Sequence, residues 1–210
     1  NGLDGVCLAV PTGTEHDEII DAAAVLPEVR IFRGDEYDVL SRTFHAAREN
    51  DANIVMRVTS DCPLIDPDVS SAVLAAFKAS TVDYARTAFT HGYPHGFDTE
   101  VFKVTALATA YKNATDLDER EHVTPYIWRR PETFSSLEID HQPDYRHWRM
   151  MVDTQEDYAL VERIYESLYP QNPNFGFSDL RELIDINPTL LDLNRNIEHP
   201  KLAGMPKAKV

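Results

Sequence analysis

Cysteine is scarce in this chain. Its 210 residues include two, Cys7 and Cys62, both in apolar strand contexts rather than in a spaced framework. A disulfide scaffold and a zinc knuckle are therefore not expected, and the reading is of a reducing, cytoplasmic setting. No apolar run approaches the roughly 20 residues that a membrane helix requires, and no signal-peptide pattern opens the chain, so no membrane partner is expected. Positive charge is also in deficit: 20 Lys and Arg face 35 Asp and Glu, for a formal net charge of −15. Nucleic acid is not an expected partner on that balance, because sequence-independent affinity for it comes from neutralising phosphates. A phosphorylated small molecule stays admissible where a bound metal or a local basic cluster offsets the field. Internal repeats, low-complexity linkers and an initiator Met are missing too; the chain starts at Asn1-Gly-Leu-Asp4, immediately before a strand.

What is present is an alternation of strands and helices. Val6–Val10 reads as a buried strand that ends in Pro11-Thr-Gly13. Thr14-Glu-His-Asp17 has capping-box spacing ahead of a helix over Glu18–Leu26. Val29–Phe32 is the next strand, Asp38–Asn50 a helix, and Ile54–Val58 a central strand. Asp66 caps a helix that opens at Pro67. This βαβ rhythm indicates a mostly parallel sheet with crossover helices. Further along, Val82–Ala85 and Thr99–Lys103 read as strands around a His-, Gly- and Pro-rich loop. Thr105–Asn113 and Glu119–Arg130 read as helices, and Phe134–Asp140 and Trp148–Val152 as an antiparallel strand pair. Helices over Gln155–Tyr169 and Ser178–Ile186 follow. The expected organisation is one domain, 1–186, and a tail, 187–210, whose last stretch Lys201–Val210 is expected to be mobile. A chain of this length can bury roughly 70% of its unfolded surface without staples.

The most informative stretch is Asn53–Asp68, in which an apolar strand runs into Asp61 before Pro63 and Pro67 close it. In open α/β sheets, ligands bind beyond the carboxyl ends of the strands, so Asp61 stands where chemistry gathers. Trp148-Arg-Met-Met-Val-Asp153 repeats the pattern, with Asp153 read as capping the helix behind it. Two such carboxylates over one cleft suit a divalent ion such as Mg2+ bridging phosphate oxygens. The alternative for each is a plain turn or cap residue. Arg57, inside an apolar strand, needs a partner; an ion pair and a phosphate clamp both answer that need. Gly34, in Arg33-Gly-Asp-Glu36, lets a ligand approach the backbone closely. His91 and His95 share a loop in which Pro94 excludes the helix that would make their spacing meaningful. Glu119-Arg-Glu121-His122 reads either as an anion site at a helix start or as a solvated, self-paired turn. Cys62 is a nucleophile candidate with His122 as base, against the plainer reading of a small buried thiol.

Five ordered segments together carry a resemblance: Phe32–Arg42, Arg57–Pro67, Tyr93–Phe102, Glu119–Tyr126 and Val152–Asp157. They resemble the cytidylyltransferase family of spore-coat polysaccharide biosynthesis proteins, relatives of acylneuraminate and deoxyoctulosonate cytidylyltransferases, over nearly the whole chain to about Ile186. The resemblance implies a glycosyltransferase-A-like, nucleotide-diphospho-sugar transferase type of three-layer α/β sandwich. It also implies transfer of a nucleotidyl group from CTP to a sugar, often an acidic one, with Mg2+ as cofactor. Asp61 and Asp153 then match the metal-binding acids, beside Arg57. Arg33, Gly34, Asp35 and Asp38 fall on the nucleotide side; Tyr93, Asp98 and Glu100, with Glu121 and His122, fall on the sugar side. Members of the family open with a strand and a basic, Gly-containing loop that have no counterpart here, so the chain is expected to be truncated or degenerate at that end. Beside this reading stand a nucleotide-sugar-consuming glycosyltransferase and a non-catalytic assembly module. The expected partners are CTP and a sugar, with a homodimer allowed.

Overall fold

The computed structural model describes residues 2–197. Strand β1 (Val6–Pro11) pairs in parallel with β2 (Val29–Gly34), with Val6 opposite Val29 and Pro11 opposite Gly34. The helix between them, α1 (Asp17–Ala23), is preceded by a 3-10 turn at Thr14–His16. The capping box expected at Thr14 does not form: neither segment has a side-chain cap, and the Asp17 carboxylate is taken by Arg33. A strong guanidinium partner has outcompeted a backbone N–H for that acid. Helix α2 (Val39–Glu49) starts as expected, with Asp38 Oδ1 accepting from Ser41 N at 2.9 Å.

The second sheet has four strands in the order β3-β5-β4-β6, formed by β3 (Ile54–Arg57), β4 (Tyr84–Thr87), β5 (Glu100–Lys103) and β6 (Ser136–Ile139). Helix α3 (Pro67–Lys78) follows β3, and α4 (Val104–Asn113) follows β5. The single helix expected over Glu119–Arg130 is instead two, α5 (Leu117–His122) and α6 (Pro125–Trp128). Val123 breaks it by adopting φ 75°, and Pro125, which has no N–H to continue a helix, opens the next one. The strand pair expected between Phe134–Asp140 and Trp148–Val152 is not there either. Only Ser136–Ile139 is a strand; Trp148–Val152 makes a single parallel bridge, Arg149 to His95. Helices α7 (Gln155–Leu168) and α8 (Phe177–Ile186) form as the pattern predicts, and a 3-10 turn covers Pro188–Leu193. Lys201–Val210, expected to be mobile, lies outside the described residues.

Packing divides the chain into two compact units. Unit 1 comprises 1–56, 80–84 and 101–137; unit 2 comprises 57–79, 85–100 and 138–210. The chain passes from one to the other within each strand of the four-stranded sheet. The core of unit 1 closes on Leu40, Tyr84, Phe102, Leu107 and Ile127. That of unit 2 closes on Phe97, Met150, Leu160, Ile164 and Leu180, with Leu190 and Leu191 packed against it.

Asp66 ties unit 2 together. One carboxylate oxygen caps α3 through Asp68 N (2.6 Å) and Val69 N (3.0 Å), while the other accepts from Phe177 N (2.6 Å) at the start of α8. Replacing it by Ala removes a cap, at about 1 kcal/mol, and strands the buried Phe177 N–H, at about 1–3 kcal/mol. Asp66→Ala is expected to lose about 2–4 kcal/mol of stability by these two effects. A thermal melt checks it: an unchanged midpoint would show that Asp66 does not hold the two helices.

Candidate active site

Unit 2 gathers Arg57, Asp61, Tyr93, Asp98, Glu100 and Asp153; unit 1 holds Arg33, Gly34, Asp35, Asp38, Glu121 and His122. Strand β3 ends at Arg57, so Asp61 lies in the turn beyond it rather than at the strand's last residue. Thr59 Oγ1 donates to Asp61 Oδ1, and Cys62 Sγ lies 3.4 Å from the same oxygen. Burial, with the negative charges of Asp61 and Asp98 nearby, pushes the Cys62 thiol up to about 12. It stays protonated at neutral pH and is no nucleophile, which leaves the buried-thiol reading.

The main chains next to the two acids are joined. Val152 N donates to the Asp61 carbonyl at 2.8 Å, so the main chains beside Asp61 and Asp153 are hydrogen-bonded to each other. Asp153 does not cap α7. Thr154 does, in a capping box completed by Asp157. This leaves the Asp153 side chain to project from the loop, 39% exposed, with Oδ2 held 2.5 Å from Arg149 Nη2. Among the described residues, Asp61 Oδ2 and Asp153 Oδ1 accept no hydrogen bond.

The support for Asp153 is buried. Arg149 Nε and Nη2 grip Asp157 at 2.8 and 2.9 Å, and Asp157 also accepts from Asp153 N and Thr154 N, both at 3.1 Å. Burial alone would raise the Asp157 pKa, but Arg149, Asn194 and the backbone donors outweigh it and take the group down to about 2. The hydrogen bonds from Arg149 to Asp157 and Asp153 raise its own pKa. Asp98 is lowered likewise: burial opposes ionisation, and the charge of Arg146, 2.8 Å away, prevails.

The other expected residues are already engaged. Arg57 takes the ion-pair alternative, with Nη1 2.7 Å from Glu100 Oε2. Tyr93 packs in an aromatic group, tilted against His141 at 4.6 Å and edge-on to Phe177 at 5.4 Å between ring centres. In unit 1, Arg33 Nη1 donates to Gly13 O at 2.7 Å, Asp35 accepts from Tyr37 N and Asp38 N, and Asp38 pairs with Arg120. Those backbone donors hold Asp35 below its usual pKa. His122 faces Asp118 at 3.7 Å across one helical turn, and Glu121 is exposed, which favours the self-paired turn. Glu15, His16 and Glu36 place one ligand atom each within 4.8 Å of one another, an exposed arrangement that solvated acids commonly show without an ion.

Sequence reasoning missed Arg146, Arg149 and Asn194 as supports. Arg149 left a trace, a lone charge inside the apolar run Trp148–Val152, just as Arg57 did. Gly96 was missed too. At φ 102° it brings its own backbone so near to 148–152 that an added Cβ would sit 2.3 Å from Met150 O.

A mixed α/β chain with parallel pairing and carboxylates in the turns after its strands has the form of an enzyme that binds its ligands beyond the carboxyl ends of its strands, and its match to a solved structure makes that form nucleotide-sugar transferase-like. The comparisons narrow the class. The sequence profile described as Cytidylyltransferase matches residues 4–196, and the chain belongs to that family. It is 30% identical over 201 residues to uncharacterized protein MJ1063 of Methanocaldococcus jannaschii, covering 93% of this chain and 79% of that one. Over 177 residues it is 27% identical to spore coat polysaccharide biosynthesis protein SpsF of Bacillus subtilis, covering 83% of this chain and 72% of the relative. A solved cytidylyltransferase from Leptospira borgpetersenii superposes with a TM-score of 0.84 at 28% identity, over 92% of this chain and 81% of its own. The chain is thus a cytidylyltransferase-type nucleotidyltransferase.

Two predictions follow from this geometry. Gly96→Ala combines a φ that L side chains rarely adopt with a backbone collision, and is expected to cost at least about 2 kcal/mol. A denaturation midpoint like that of the parent would refute the close approach. The second concerns acid. Because the folded-state pKa of Asp157, about 2, lies below the usual value of 3.8, its ionised form stabilises the fold above that usual value, and the contribution is lost as pH falls through about 2. The stability of Asp157→Asn should therefore fall less steeply than the parent's between the two pKa values, by up to about 1.4 kcal/mol per pH unit. Parallel stability–pH curves for the two proteins would show that Asp157 carries no such linkage.

Proposed function

We propose that this enzyme transfers the cytidylyl group of CTP to a hydroxyl of an acidic sugar, releasing pyrophosphate and yielding a CMP-sugar for surface polysaccharide synthesis, of the kind named for the SpsF relative. The single observation that carries the reading is the Val152–Asp61 backbone bond. It joins the main chain at Asp61 to the residue before Asp153, and each of these acids has one carboxylate oxygen that no described residue engages, which supports reading them as a pair. Two hard carboxylate oxygens are the protein ligands Mg2+ accepts, so the donor set fits that ion. When bound, Mg2+ would neutralise charge on the phosphates and the leaving pyrophosphate.

The chain's own residues hold and aim. Asp61 and Asp153 are the proposed metal ligands, with Asp153 steadied by Arg149. Arg57 presents Glu100, which with Tyr93 and Asp98 is assigned to the sugar, whereas Glu121 and His122 belong to the self-paired turn. Arg33, Gly34, Asp35 and Asp38 are assigned to the nucleotide. Such transfers need mainly positioning and charge neutralisation, which matches a site of ion-paired, well-ordered groups without an activated side-chain nucleophile. No helix among the described residues is long and apolar enough to cross a membrane, and the partners proposed are CTP, the sugar and at most a second copy of the chain, in the cytoplasm.

The test is pyrophosphate release that requires CTP, a sugar acceptor and Mg2+ together. Asp61→Ala is expected to lower it by a factor of roughly 100 or more, the several kcal/mol that a metal's charge stabilisation is worth. Unchanged turnover in that variant would remove Asp61 from the chemistry. A parent enzyme that consumes a nucleotide sugar and yields no pyrophosphate from CTP would replace this reading with a glycosyltransferase.

A further inference from the structure

Asn194 lies just past the 3-10 turn Pro188–Leu193 and is 5% exposed. Both hydrogens of its amide nitrogen are used: Nδ2 donates to Arg149 O at 2.9 Å and to Asp157 Oδ1 at 2.9 Å. The first bond fixes the main chain of the 148–152 segment, whose Met150 N and Val152 N reach His95 O (2.7 Å) and Asp61 O (2.8 Å). The second supplies Oδ1 of a carboxylate that Arg149 also holds, so the guanidinium can extend its Nη2 to Asp153 Oδ2 at 2.5 Å. An exposed Asp side chain ordinarily samples several rotamers and loses part of any metal affinity to that freedom. Here one oxygen is fixed from behind and the other is left to face outward.

We infer that Asn194 is a positioning residue for the metal-binding acid Asp153, acting through Arg149 and Asp157; this rests on the reading of Asp61 and Asp153 as the metal pair. The segment 188–194 is then part of the active-site support. Removing its one amide frees the 148–152 main chain and loosens the aim of Asp153, while leaving both acids in place. Groups that orient a metal's direct ligands are typically worth about 10–100-fold in metal affinity.

The probe is Mn2+ alone, titrated into the nucleotide-free protein and followed by the electron paramagnetic resonance of the free ion, so that it depends neither on turnover nor on chelation by CTP. Asn194→Leu, similar in size but without a donor, is expected to weaken Mn2+ affinity about tenfold. In the Mg2+-dependent assay the same variant should raise KM for the metal more than it lowers kcat. Leu190→Ala is the structural control, since Leu190 packs the same segment onto the hydrophobic core and carries no polar side-chain atom. It is expected to lower the melting temperature yet hold Mn2+ affinity within about twofold, well inside the effect expected of Asn194. If Asn194→Leu does not fold, Asn194→Ser, which keeps a shorter donor, carries the same comparison with an intermediate loss. Parent-like Mn2+ affinity in the Asn194 variant, or an equal loss in Leu190→Ala, would overturn the assignment. Asp153→Ala separates the two readings. If it leaves Mn2+ affinity intact, the metal pair is wrong and this inference falls with it; if it abolishes binding while Asn194→Leu does not alter it, only the role of Asn194 fails.

Discussion

The buried pair of Arg149 and Asp157 is the interaction on which the arrangement of unit 2 depends. Asp157 is fully buried and ionised, and it stays so because it accepts from both nitrogens of one guanidinium edge, two backbone N–H groups and the Asn194 amide. A charge at that depth is tolerable only when its lone pairs are satisfied. Removing one partner of such a pair costs about 3–5 kcal/mol, mainly because the other charge is left uncompensated. The pair therefore does more than join a loop to a helix: it forces 148–154 into one geometry, and that geometry determines where Asp153 points.

The same need for satisfaction recurs wherever this strongly acidic chain brings its arginines indoors. Arg57 finds Glu100, Arg146 finds Asp98, Arg86 finds Glu138, and Arg130 finds the buried Glu119. The first three pairs join segments more than 40 residues apart, and the fourth spans 11 residues, from one short helix to the end of the next. Exposed ion pairs contribute little to stability, but these are largely desolvated on at least one side, so they act as registers that fix which loop faces which. An excess of acid over base then has a structural meaning: most buried cations are spoken for, and some carboxylates, Asp61 and Asp153 among them, keep an oxygen that no described residue engages.

For function, the consequence is a site without an activated nucleophile. Cys62, the one candidate, is held protonated by burial beside two acids. What unit 2 offers instead is rigidly placed negative charge, with an aromatic group that includes Tyr93, His141 and Phe177 close to the loop assigned to the sugar. That is the equipment of an enzyme that works by placement and charge compensation, and it agrees with membership in the cytidylyltransferases.

Local order was legible from the residues. The apolar runs of β1 to β3, the cap at Asp66, the amphipathic faces of α7 and α8, and the family motifs around Asp61 and Asp153 all depend on neighbours a few positions apart. Periodicity and capping chemistry report such neighbours directly. Where the reading failed, a distant partner had decided. Asp17 left its cap for Arg33, and Trp148–Val152 was held by side chains, one bridge and the Val152–Asp61 backbone bond instead of a strand ladder; the break at Val123 is the local exception, with Pro125 two residues on. Asn194 gave no signal at all, because a lone Asn past a short 3-10 turn has no pattern until folding brings Arg149 and Asp157 to it. The sequence by itself determined most of the helices and strands and which acids are candidates. Only the tertiary structure decided which acid is free to bind and what holds it, since hydrogen bonds between residues tens of positions apart exist only once the chain has closed on itself.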